Sequence, residues 1–197
     1  MNNLYIIAGI FIIAVAGYWI FFVQSTSFDD GLKQINSFWG KQELKPYDLT
    51  VSAKVNFIEE IKLNTLKSDL ESFKNSIESQ PDSQDKQELL MLADIHISLV
   101  SNALMQKKNF ALIDLFENSD YDSGFLCSSL DKAEELSSSL ASQKEMILAY
   151  NGKIDSFSES FPEEAKTAEV PYMRLQANSD EQLLQFSSII VSLKGVC

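Results

Sequence analysis

One histidine (His96), two cysteines (Cys127 and Cys197) and three adjacent acidic pairs are the side chains whose types could carry chemistry in this sequence. His96 stands in the middle of the most apolar helical pattern, where a structural imidazole is expected in place of a catalytic one. No Gly-x-Ser-x-Gly elbow accompanies it to complete a serine triad. A zinc site needs several Cys or His ligands, and a di-iron bundle needs paired Glu-x-x-His motifs. One histidine and two distant cysteines supply neither. Glu59-Glu60, Glu134-Glu135 and Glu163-Glu164 would do acid–base work only if burial pushed their pKa values apart. Neighbours on a helix point about 100° apart, so these pairs read as solvated surface. The run Asn118-Ser119-Asp120-Tyr121-Asp122-Ser123-Gly124 offers oxygens at positions one, three and five of a calcium loop. It has Ser123 where the loop needs Gly, and Ser129 where it needs a bidentate Glu. No metal, cofactor or catalytic residue is therefore expected, and the chain does not read as an enzyme.

The two cysteines admit a second chemistry. In an oxidising compartment Cys127 and Cys197 would form one disulfide across a long loop, stabilising the fold by a few kcal/mol. The alternative is a buried thiol at one position and an exposed one at the other, available for pairing between chains.

The compartment turns on the first two dozen residues. Leu4 to Val23 carries no charge and no strongly polar side chain, enough for a helix of about 30 Å. Tyr5 and Tyr18-Trp19 stand near its ends, where amphipathic rings favour headgroups. Ala14-Val15-Ala16 has the look of a cleavage site, but cutting there would leave Gly17–Val23 as an apolar new terminus. A retained single-pass anchor is expected. Lys33, Lys41 and Lys45 follow the span at a distance, so orientation is weakly specified; an extracytoplasmic soluble part is favoured, since long domains translocate largely regardless of charge.

The formal net charge of −12 lies wholly beyond the span, and Arg174 is the only arginine. Such a surface repels nucleic acid and offers no basic patch. The soluble part reads as helices. Residues 25–46 predict an amphipathic juxtamembrane helix capped by Ser27, with Phe28, Leu32, Ile35 and Trp39 as one apolar stripe. The stripe could meet a partner or the membrane surface, although packing on the bundle is the more ordinary outcome. Residues 47–197 predict an acidic bundle. A helix is expected from Tyr47 to Glu78, with Val51, Val55, Ile58, Ile61, Leu66, Leu70, Phe73 and Ile77 inward. A central helix spans Asp85 to Glu117, and a third spans Phe125 to Ser156 with a kink or fray at Asn151-Gly152-Lys153. A short turn follows at Pro162, and a final helix runs from Pro171 to Lys194, with a capping box at Ser179 and Gln182 that would split it.

The expected class is all-α: an N-terminal transmembrane helix (1–24), then an elongated antiparallel bundle of about four to five helices. The function this suggests is a membrane-tethered interaction or scaffold module that docks a protein partner or self-associates. The alternative is an extracytoplasmic sensory or small-ligand-binding bundle. A cavity with convergent polar groups would favour the latter, and an exposed apolar patch at Phe28, Leu32, Ile35 and Trp39 the former.

Overall fold

A computed structural model describes residues 25–117, 127, 129–176, 190, 191 and 194. The proposed anchor, the calcium-like run at 118–124 and the capping box at Ser179 and Gln182 lie outside the described residues. Within them the protein is all-helical, with six α-helices, two 3-10 turns and no strand.

Helix α1 (Phe28–Lys41) begins where Ser27 predicts. The Ser27 hydroxyl accepts from the Asp30 amide at 3.3 Å and donates to the Asp30 carboxylate at 3.0 Å, closing the first turn from both sides. Phe28, Ile35 and Trp39 are buried and Leu32 packs against the same core, joined by Phe38, which meets Phe73 edge-on. The stripe is thus consumed by the bundle and is no exposed patch for a partner or a membrane. Burying four large apolar side chains releases more free energy than leaving them wet, at about 1.5–3 kcal/mol each. Gly31 makes the approach possible: a Cβ there would lie 2.3 Å from Leu89 Cδ2.

The helix expected from Tyr47 to Glu78 is broken. A 3-10 turn (Pro46–Thr50) and a one-turn helix α2 (Ser52–Val55) precede α3 (Glu60–Glu78). Pro46 opens the 3-10 turn, and the Asp48 carboxylate accepts from the Lys45 amide at 3.0 Å, holding the turn as a separate unit. Val51 and Glu59 are extended, and the break resets the helical phase. Ile61, expected inside, is 70% exposed, while Leu63, Leu66, Leu70, Phe73 and Ile77 line the seam at alternating three- and four-residue steps.

Helix α4 (Gln84–Glu117) is the axis, 34 residues and about 50 Å long. It is the one described helix long and apolar enough to cross a membrane by length and composition, over Gln84–Leu115. In the structure α1, α3 and α5 pack on it, burying Leu89, Leu92, Ala93, Ile95, Leu99, Val100 and Ala103. Helix α3 runs antiparallel to it, as the Lys74–Asp94 and Lys107–Asn56 contacts show, and α1 runs parallel.

Helix α5 (Leu130–Ser160) returns antiparallel, its register set by Glu135 with Lys108, Gln143 with Asn109 and Lys153 with Ser98. It passes through Asn151-Gly152-Lys153 as continuous helix, because Gly152 faces open space and Tyr150 and Ile154 on either side are buried. Helix α6 (Pro162–Thr167) and a second 3-10 turn (Val170–Met173) fold back over it. Pro171 opens only this turn, and Arg174 after it is extended, so the long final helix does not begin there. Asn151 pins the extended stretch twice, donating to Leu175 O at 2.9 Å and accepting from Leu175 N at 3.2 Å.

Candidate functional site

His96 is 1% exposed, its ring 5.7 Å from that of Trp39, and neither imidazole nitrogen has a partner. Burial lowers its pKa to about 4, so it is a neutral core side chain at pH 7. Among the acidic pairs, Glu135 and Glu134 bind Lys108 at 2.8 Å and Lys194 at 2.5 Å on an open surface, and Glu163 and Glu164 occupy the first turn of α6. Among the described residues the one acid with a raised pKa is Glu88, chiefly from desolvation, with Glu164 and Asp85 adding to it. No group of three or more His, Cys, Asp or Glu among the described residues is arranged to hold a metal. Cys127 is exposed and disulfide-bonded. Cys197 lies outside the described residues.

The concave feature with the best-defined walls is a cleft of about 560 Å³, between α4, α5 and the two 3-10 turns. One wall is a stripe on α4, Asn102, Gln106, Asn109 and Ile113, spaced four, three and four. The other is Leu140, Gln143 and Ile147 of α5. Asn109 donates to Gln143 Oε1 at 2.5 Å across the base, and Gln106 reaches the carbonyl of Ser52 at 3.3 Å. Asn102 and Asn109 are buried, and their Oδ1 atoms accept no hydrogen bond and lie beneath the cleft surface. An acceptor left in this state costs about 1–3 kcal/mol.

Two loops form the rim. Tyr47 follows Pro46 at the start of the first 3-10 turn, and Tyr172 follows Pro171 in the second; the turns touch one another. Both rings line the cleft yet are 59% and 77% exposed. Of the residues around it only Arg174 is charged, and its guanidinium is bound to Asp155.

No family model, no curated protein and no solved structure matches this chain. The site is therefore read from its own chemistry. None of the residues expected from the sequence to form a site lines it, although Val51, Tyr47 and Arg174, read there for other reasons, do. Two signals were present there: a carboxamide stripe at Asn102, Gln106 and Asn109 inside the most apolar helix, and the repeated dipeptide Pro-Tyr.

Proposed function

We propose that this chain is a membrane-anchored helical bundle whose soluble part binds a small ligand between α4, α5 and the two Pro-Tyr turns. The observation that carries the reading is a cleft of about 560 Å³ with carboxamides converging on its base. That volume is within the range of small-molecule sites, and stability alone gives no reason to bury two asparagine carbonyls unpaired. The anchor is the apolar segment 4–23, and the soluble part is extracytoplasmic. Cys127 joins Cys197 there, the other of the chain's two cysteines. In support, Lys194 sits against Glu134 two turns along from Cys127.

The scaffold reading retains one observation of its own. Phe57 and Ile61, 89% and 70% exposed and four residues apart beside the start of α3, could meet a protein partner. The discriminating experiment is a thermal-shift screen of the full chain in nanodiscs against small metabolites, alongside Gln106→Trp, which fills the cleft from a half-buried position. Ligands that raise Tm for the native chain and not for Gln106→Trp support the reading. Ligands indifferent to the substitution, or none at all, refute it.

A further inference from the structure

We infer that the ligand of this cleft is a neutral saccharide; the inference rests on the ligand-binding reading and adds its chemical class. Three features of the lining point to it. First, the lining carries no free charge. Arg174 is the only ionic side chain there and Asp155 neutralises it, on a chain of net charge −12. A carboxylate, phosphate or nucleotide would find no counter-charge.

Second, the polar lining is made of side-chain amides and hydroxyls: Gln106, Gln143, Gln176, Thr50 and Ser52. A carboxamide presents a donor and an acceptor side by side, which matches the paired vicinal hydroxyls of a sugar ring. Strand addition of an extended peptide needs a free sheet edge, and the described residues contain no strand.

Third, Tyr47 and Tyr172 stand at the rim, 59% and 77% exposed. The apolar C–H face of a pyranose stacks on such a ring. Each tyrosine follows a proline that fixes the backbone at the head of its turn, so little freedom is lost on binding. Lys54 covers part of one face of Tyr47, 5.6 Å from the ring centre, leaving Tyr172 as the more open platform.

The test is ligand-observed saturation-transfer NMR on the full chain in nanodiscs, free of sugar detergents. The probes are maltotriose, cellotriose and tri-N-acetylchitotriose, against trialanine and trigalacturonic acid as controls. The expected result is binding of at least one neutral trisaccharide and of neither control, abolished by Gln106→Trp. Tyr172→Ala should weaken it about 5–10-fold, while Tyr172→Phe stays within about 2-fold, since the ring and not the hydroxyl makes the contact. Binding of trialanine or the uronic acid in place of the neutral sugars, sensitive to Gln106→Trp, overturns the saccharide assignment and leaves the ligand site standing. Sugar binding unaffected by both Gln106→Trp and Tyr172→Ala overturns the assignment of sugar to this cleft. No binding by any probe overturns the saccharide assignment, and the metabolite screen then decides the site itself.

Discussion

Three helical glycines turn the packing of α1 on α4 into a measurable contrast. Replacing glycine by alanine inside a helix ordinarily stabilises by about 0.8–1 kcal/mol. At Gly152, in mid-α5, a Cβ meets nothing within 4 Å, so Gly152→Ala should gain about that amount. Gly40 also faces open space but sits in the last turn of α1, so its gain should be smaller. At Gly31 the new Cβ would lie 2.3 and 2.6 Å from the two Leu89 methyls. Leu89 is fully buried, so its side chain must shift within the core to admit the methyl. Overpacking of this kind costs about 1–3 kcal/mol, and two contacts this short place it near the upper end. Gly31→Ala should therefore lose about 2 kcal/mol after the propensity gain, a gap of about 3 kcal/mol from Gly152→Ala. For a domain of this size that is roughly 6–12 °C in Tm. Thermal unfolding of the three variants in the same nanodiscs, followed by circular dichroism at 222 nm, reads the gap directly. If Gly31→Ala is as stable as Gly152→Ala, α1 does not lie against Leu89 and the account of the core is wrong.

Three further outcomes are expected. His96 has its pKa lowered to about 4 in the fold against about 6.5 unfolded, so the unfolded chain binds the extra proton. The stability it supports is complete above about pH 6.5 and is lost as pH falls towards 4, up to about 3 kcal/mol; urea titrations at pH 7 and pH 5 should differ, and His96→Phe should flatten the difference. Reducing the proposed Cys127–Cys197 bond should slow the band on a denaturing gel and lower stability by about 4 kcal/mol, and Cys127→Ser should reproduce both effects. Asn151→Ala removes two hydrogen bonds to Leu175, costing about 1–3 kcal/mol, and should loosen the Tyr172 turn; hydrogen exchange of the Leu175 amide should quicken while α4 stays protected.

The helices were legible wherever one periodicity ran without interruption. The Ser27 cap, the inward stripe of α1, the reach of α4 and most inward positions of α5 follow from local spacing. What failed was phase and termination. Ile61 and Leu63 differ by two positions, and only the break at Asn56–Glu59 decides which faces the core; that break depends on Asp48 folding back on Lys45, a contact that hydropathy does not encode. Pro171 reads as a helix start, a position proline favours, but the chain after it is held extended by Asn151 from another helix. The cleft was invisible for the same reason. Tyr47 and Tyr172 are far apart in sequence and meet only because α4 and α5 bring their turns together.

The way the chain enters the bundle has a consequence for reach. The Thr26 amide donates to Gln80 Oε1 at 2.7 Å, and Gln80 Nε2 returns a hydrogen bond to Thr26 Oγ1 at 2.9 Å. With residues 4–23 in the bilayer, as proposed, only two residues separate the span from this clamp, a leash of about 10 Å at most. At the end of the bundle nearest the lipid Asp29, Asp85, Glu88 and Glu164 surround one hollow, while Lys33 and Lys86 pair with Asp30 and Asp82, leaving a net negative face that anionic headgroups push away. A short leash under repulsion favours an upright rod. Gln106 lies about six turns down α4 from Gln84, so the cleft rides about 33 Å above the clamp, several Debye lengths clear of the lipid charge. The anchor then acts as a spacer of fixed height: the protein samples one stratum of its surroundings, and a ligand lying flat on the bilayer passes beneath it.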